Sequence, residues 1–305
     1  MMDREELYEK MLTIRLFEEK AESLFIKGEL FGTIHACIGQ EAVSVGIISN
    51  LMKNDLVLSN HRGHGHFIAF TDDIEGIISE LMGKKNGVCQ GRGGSQHLCT
   101  GNFFSNGITC GMTAVATGMA YAEKINKTDN IVVVFIGDGA LGEGVLYESL
   151  NMASLWNLPI LFVVENNKYA MSTYIKEAVA GSIIERGKSF GIKSEGIPGD
   201  DVEFIIKKSK KIIGNIRKNK EPFFLACDTY RFCGHSKSDN RAYRTKEEES
   251  EMECRDPLHV VLGLKIDNKT KKKIDEKVRK RIQNAFKKAE EADFPTSLEP
   301  LPNKV

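Results

Sequence analysis

The sequence has 305 residues, 41% apolar and 28% charged, a globular composition that excludes a disordered or fibrous chain. Its 42 basic residues balance 42 acidic ones, so no net charge draws it to nucleic acid or an anionic membrane. No run nears the ~18 apolar residues of a membrane span, and the length suits one large α/β domain with a substantial core.

The opening stretch carries no apolar segment of the signal-peptide kind. From Asp3 to about Ile26, Leu7, Met11, Ile14, Phe17, Ala21 and Phe25 recur near helical spacing. A second helix is predicted after Gln40, making residues 1–50 a helical segment. Residues 86–111, rich in glycine, polar residues and histidine, read as a long structured loop, and Thr113–Lys124 as a buried helix of small residues. Ile131–Ile136 is continuously β-branched and aromatic, the pattern of a strand buried on both faces of a parallel sheet. Glu143–Leu158 is patterned as a helix with Pro159 at its exit, and Ile160–Val164 is a second buried strand. Strand, helix and strand together predict a right-handed crossover.

Further on, Val202, Ile205, Ile206, Ile212, Ile213 and Ile216 share one face of a helix predicted at 201–219, before a strand at Pro222–Thr229. Residues 230–257 show no periodicity and read as a loop. An amphipathic helix at about 268–291 carries Ile274, Val278, Ile282 and Phe286 on one stripe; its lysines read as a solvated surface. With no repeat or low-complexity linker, 1–305 reads as a single domain. The seven cysteines are scattered, none in a C-x-x-C pair. That argues against a disulfide framework and makes the cytoplasm the expected compartment.

The chemistry centres on Gly137-Asp138-Gly139-Ala140-Leu141-Gly142, which lies after a strand and before a helix. It matches G-x-G-x-x-G, and Glu165 ends the next strand about 20 residues on, as in a nicotinamide dinucleotide fingerprint. A Rossmann oxidoreductase using Gly137, Gly139, Gly142 and Glu165 is therefore one reading. Asp138 opposes it, because a carboxylate repels a pyrophosphate unless a cation stands between them. Mg²⁺ is such a cation, shared between carboxylate and diphosphate oxygens. Asn167 follows the second strand at the same sheet edge, where open parallel sheets bind ligands. Alone, Asp138 reads as a helix cap and Asn166-Asn167 as a turn; together they favour a metal–diphosphate site. A zinc site at His61, His64 and His66 is disfavoured, since their spacing matches no common pattern.

The stretch GDGALGEG followed by the Asn-Asn pair resembles the thiamine diphosphate motif. More narrowly, the chain resembles α subunits of the decarboxylating component of 2-oxo acid dehydrogenase complexes, a family that includes pyruvate, branched-chain and acetoin enzymes. The resemblance runs through HACIGQEAVSVG at 35–46, NHRGHGH at 60–66, GRGGSQH at 91–97, SNGITCGM at 105–112, and TYRFCGHSKSD with AYRTKEE within 229–248. It implies an α/β fold with a mostly parallel sheet and helices on both faces. It also implies Mg²⁺ held by Asp138, Asn167 and the Tyr169 carbonyl, and diphosphate at Arg62 and at the Gly139 and Ala140 backbone at a helix N-terminus. Gly107 and Thr109 would present backbone groups to the aminopyrimidine. The positions matched by His235 and His35 lie near the diphosphate and the substrate 2-oxo group, suiting both to catalysis, and His61 counts among the cofactor-facing residues.

By the same resemblance, the activating glutamate comes from a β subunit in an α2β2 heterotetramer, and the acyl unit passes to a lipoyl-bearing acyltransferase. The substrate is a 2-oxo acid or acetoin, with neither nucleic acid nor membrane as partner, and the chain alone should be inactive. Loop 230–244, with Tyr230, Arg231, Ser236 and Ser238, resembles one that orders around bound cofactor and whose serines some relatives phosphorylate. Two departures stand out. His61 replaces a tyrosine of pyruvate-specific relatives and resembles the acetoin type, and Asn240-Arg241 replaces a proline-containing turn. A non-enzymatic interaction or regulatory subunit is a third reading, opposed by retention of Asp138, Asn167, Arg62 and His235.

Overall fold

The computed structural model describes residues 2–236, 239–263 and 266–296. Its helices are α1 (Arg4–Ile26), α2 (Glu41–Ile48), α3 (His64–Thr71), α4 (Ile74–Leu81), α5 (Gly111–Ile125), α6 (Gly144–Leu155), α7 (Ile175–Ala178), α8 (Ile183–Lys188), α9 (Val202–Asn219), α10 (Lys246–Glu253), α11 (Pro257–Gly263) and α12 (Asn268–Glu291). The strands are β1 (Leu56–Ser59), β2 (Cys99–Thr100), β3 (Phe103–Ser105), β4 (Val132–Gly137), β5 (Ile160–Asn166), β6 (Tyr169–Ala170), β7 (Thr173–Tyr174), β8 (Lys193–Pro198) and β9 (Phe223–Asp228).

Seven strands form one sheet in the order β2-β3-β1-β4-β5-β9-β8, with β6 and β7 a separate small hairpin. Every pairing in the large sheet is parallel except β2 with β3. Successive side chains of a strand point to opposite faces, and both faces here are covered. Val133, Phe135, Leu161 and Val163 join the core built with α1, α2, α9 and α12. Val132, Val134, Ile136, Phe162 and Val164 join the core built with α5 and α6. The unbroken apolar runs of β4 and β5 follow from that double burial.

Capping sets the helix starts. Asp3 accepts from the Glu6 N–H, Asp201 from the Phe204 N–H, and Asp267 from the Lys269 and Thr270 N–H groups, each satisfying free donors of a first turn. Several elements correct the sequence reading. The predicted 86–111 loop contains β2 and β3, and the predicted 230–257 loop contains α10. That helix has the cap Thr245, which accepts from Glu248 N–H, but a single buried residue, Met252, and so no apolar stripe to read. The edge strand β8 carries Lys193, Ser194, Glu195, Gly196 and Pro198 on a margin partly open to solvent, a composition that hides edge strands. The helix after β4 spans Gly144–Leu155, shorter at both ends than Glu143–Leu158.

A buried carboxylate shapes the glycine-rich loop after α4. Glu80 accepts backbone N–H bonds from Cys89, Gly91, Gly93 and Gly94 at 2.7, 2.9, 2.6 and 3.2 Å. Gly91 has φ +73 and its backbone lies against Gly83, where a Cβ would meet the Gly83 carbonyl carbon at 2.4 Å, so no other residue fits. Bonds to a charged acceptor contribute about 1.5–3 kcal/mol each. Glu80→Gln turns one oxygen into a donor facing donors and is expected to cost about 3 kcal/mol or more. Urea unfolding measures it, and an unchanged midpoint would refute this role for Glu80.

Candidate active site

The carboxyl ends of five parallel strands deliver the site. β1 leads into Asn60-His61-Arg62, β3 into Gly107 and Thr109, β4 into Asp138, β5 into Asn167, and β9 into the segment bearing His235. In open parallel sheets that edge is where ligands bind. One cavity of about 350 Å³ there is lined by all eleven residues expected from the sequence: His35, His61, Arg62, Gly107, Thr109, Asp138, Gly139, Ala140, Asn167, Tyr169 and His235. They come from segments up to 200 residues apart in sequence.

Asp138 is 1% exposed, and its Oδ2 is a buried oxygen without a hydrogen-bond partner among the described residues. Burial pushes its carboxyl up to about 6, against the pull of its own and Asn167's backbone N–H and of Arg231 and Arg62. An orphaned carboxylate oxygen beside an amide and open backbone suits a hard cation, which takes oxygen ligands. Asn167 Oδ1 accepts from the Tyr169 N–H at 3.2 Å, folding the 167–169 turn back toward Asp138. The Tyr169 side chain points elsewhere, its hydroxyl donating to Glu248 at 2.9 Å. This donor set fits Mg²⁺ bound to a diphosphate.

The same stretch corrects one expectation and disposes of another. Asp138–Gly142 is a short 3-10 turn, and α6 begins at Gly144 after Glu143. Gly139 and Ala140 therefore present their N–H groups from a tight turn, not from the helix N-terminus, and Asp138 does not cap α6. In a dinucleotide fingerprint the glycines serve a tight turn, backbone approach to the pyrophosphate and helix–strand packing. Here a Cβ on Gly137 or Gly142 would meet nothing within 4 Å, so neither glycine is demanded by close packing. Gly139 alone is tight, with the Ala170 Cβ 2.7 Å from where its own would stand. Glu165 is buried at the wall of the same cavity, its Oε1 3.3 Å from His66 Nε2.

The three histidines on the opposite wall form a triangle. Ring centroids lie 4.8 Å apart for His35–His61 and His35–His235, and 5.8 Å for His61–His235. Burial first, then the Arg62 guanidinium, depresses all three, His35 to about 3, His61 to about 2 and His235 to about 4. They are neutral at pH 7, each with one ring donor and one acceptor. Their nitrogens lie within 4.8 Å of one another, but the adjacent arginine cations oppose a metal there and suit an anion. His64 and His66 point away. His64 bonds Glu18 and Ser95, and His66 bonds Ser59, so the zinc trio does not converge.

Two arginines carry the positive charge. Arg62 donates to the Ala36 carbonyl at 2.6 Å and approaches His235 Nδ1 at 3.5 Å. Arg231, singled out in the sequence only as part of a loop, is fully buried. Its Nη2 donates to Tyr243 Oη at 3.1 Å, while Nε and Nη1 have no hydrogen-bond partner among the described residues. Asp239 sits 3.8 Å from Nη1 and accepts from the His235 N–H and the Tyr243 hydroxyl, which ties the loop to the site. In place of the proline turn, the Asn240 side chain accepts from the Ala242 N–H and Arg241 adopts φ 60. Ser238 lies outside the described residues. Sequence reasoning also missed Gln96, another cavity residue. Its neighbour pattern Gly-Gly-Ser-Gln-His marked the segment but not its role.

Comparison with known proteins gives the same picture. The profile of the dehydrogenase E1 component family matches residues 9–297. The pyruvate dehydrogenase E1 component subunit alpha of Rickettsia felis is 39% identical over 266 residues, covering 86% of this chain and 82% of that one. The alpha subunit of the Bacillus subtilis acetoin:2,6-dichlorophenolindophenol oxidoreductase is 40% identical over 249 residues, 80% of this chain and 75% of its own. The Zymomonas mobilis pyruvate dehydrogenase alpha subunit is 40% identical over 265 residues, 84% of this chain and 75% of its own. Matches of this extent, on a mostly parallel α/β sheet, show that the chain belongs to the dehydrogenase E1 component family.

Proposed function

We propose that this chain is the α subunit of a thiamine diphosphate-dependent pyruvate-type or acetoin dehydrogenase, active when joined to a β subunit as α2β2. The observation that carries the reading is the unpartnered, buried Oδ2 of Asp138 in a cavity that also holds Asn167, Arg62 and the three histidines. Asp138, Asn167 and the Tyr169 carbonyl would hold Mg²⁺. Arg62, His235 and the Gly139 and Ala140 N–H groups would hold the diphosphate, and Gly107 and Thr109 the aminopyrimidine, with His61 on the same wall. Bound there, the cofactor would supply a nucleophilic carbon for the carbonyl of a 2-oxo acid or of acetoin.

The chain's own part is orientation and charge. Neutral His35 and His235 can donate a hydrogen bond to a developing oxyanion without adding a cation beside Arg62. Of the two carboxylates that line the cavity, Asp138 would serve the metal and Glu165 lies 3.3 Å from His66 Nε2. The activating glutamate would come from the β subunit, and a lipoyl-bearing acyltransferase would take the acyl group. The free cysteines suit a reducing cytoplasm. No helix of the described residues is long and apolar enough to cross a membrane. Residues 1–305 are read as one domain, in support of which the last helix packs on the first through Phe286 against Phe17, ring centroids 5.6 Å apart.

The test is reconstitution with the β subunit and assay on both substrate types. Turnover requiring both chains, thiamine diphosphate and Mg²⁺ is expected, and full activity from this chain alone would refute the proposal. A pH dependence follows. Metal binding needs the ionised carboxylate, and Asp138 holds its proton up to about 6. Mg²⁺-dependent cofactor affinity should fall by about tenfold per pH unit below that point. Calorimetric titration between pH 5 and 8 measures it, and a flat profile would contradict the assignment of Asp138.

A further inference from the structure

Gln96 and His35 approach each other across the cavity from separate segments. The Gln96 side-chain nitrogen lies 3.3 Å from His35 Nδ1 and 3.1 Å from Thr33 Oγ1. An amide NH₂ has two donors and no lone pair to offer, so both of its protons are used. The carbonyl end lies against Gly107, where a Cβ would stand 2.3 Å from Gln96 Oε1, so only glycine leaves room for the Gln96 side chain there.

The segments bearing the two residues are clamped by one buried network. Glu18, fully buried, accepts from the Cys37 N–H at 2.9 Å and contacts His64 Nδ1 at 2.9 Å. His64 Nε2 in turn reaches Ser95 Oγ at 2.8 Å. Glu18 thus braces the chain two residues after His35, and through His64 the residue before Gln96. The Gln96–His35 contact is held from both sides and costs little ordering when substrate arrives.

We infer that Gln96 is a positioning residue that fixes His35 in its Nε2–H tautomer, so that His35 offers a hydrogen-bond donor, not an acceptor, to a substrate carbonyl oxygen. A neutral imidazole that accepts at Nδ1 carries its proton on Nε2. A donor set in advance is what a carbonyl oxygen gaining negative charge requires. The tautomer is a property of the chain itself, whereas the catalytic consequence rests on the function proposed above.

The experiment is ¹⁵N NMR on the histidine-labelled full chain without cofactor, with the His35 signals identified by their loss in His35→Gln. The wild-type chain should show Nδ1 unprotonated and Nε2 protonated. Gln96→Glu, near-isosteric but accepting where the amide donates, should invert the pattern to Nδ1–H. Wild-type His35 found as Nδ1–H, or unmoved by Gln96→Glu, would overturn the tautomer assignment whatever cofactor the site takes. In the assembled enzyme, Gln96→Glu should lower kcat at least about tenfold with thiamine diphosphate affinity unchanged. An inverted tautomer with unchanged kcat would overturn the positioning role and leave the cofactor reading intact.

Discussion

Asp138→Asn should abolish turnover, by at least about 10³-fold, while leaving the chain as stable as before or more so. The two effects have one cause. At pH 7 the carboxylate is ionised and buried with an oxygen unpaired, which is tolerable with a cation beside it and costly without one. Its pKa is raised from 3.8 to about 6. A group whose folded pKa is raised contributes stability at low pH that is lost as pH rises, here between about 3.8 and 6. At about 1.4 kcal/mol per pKa unit, the ionised form costs up to about 3 kcal/mol. Asparagine keeps the shape and removes that cost. Thermal unfolding at about pH 4 and about pH 7 should show the wild-type chain losing stability relative to Asp138→Asn across that window. Calorimetry should show Mg²⁺-dependent cofactor binding gone. An inactive variant that had also lost stability would point to a structural role instead.

Arg231→Met should weaken cofactor binding by about tenfold, the worth of one buried positive charge near a bound anion. It should also loosen the loop that carries His235. Arg231 is wholly buried, yet Nε and Nη1 have no hydrogen-bond partner among the described residues, Nη1 having only Asp239 at 3.8 Å. Its charge acts on Asp138, His35, His61 and His235. Arg231 does not itself line the cavity, so its contribution to an anion there is its positive charge, felt through the groups that do. Limited proteolysis within 231–244, with and without thiamine diphosphate, reads the loop, and calorimetry reads affinity. Unchanged affinity with a loosened loop would make Arg231 a strut for Asp239 and nothing more.

The elements legible in the sequence are those in which one physical pattern dominates. β4 and β5 are buried on both faces and read as unbroken apolar runs, while α1, α9 and α12 combine an aspartate cap with an apolar stripe. β1 is four residues long and α3 and α4 eight each, too short for periodicity to declare itself, although Asp73, which caps α4 through the Gly76 N–H, is a readable signal. The residues expected at the site converge on one cavity because they follow strand ends, and the parallel pairing of β4 with β5 was itself legible. Gln96 and Arg231 escaped because their meaning lies in partners far along the chain. Nothing near Gln96 in sequence points to His35, and a buried arginine looks no different from an exposed one until its surroundings are built. Gly139 and Ala140 do not stand at a helix N-terminus because Asp138–Gly142 forms its own tight turn ahead of α6.

Native mass spectrometry of the protein gently purified from its own source tests the central claim most directly. The account predicts two copies of this chain with two of a second polypeptide, carrying thiamine diphosphate and Mg²⁺. An assembly of this chain alone, holding a nicotinamide dinucleotide, would contradict it.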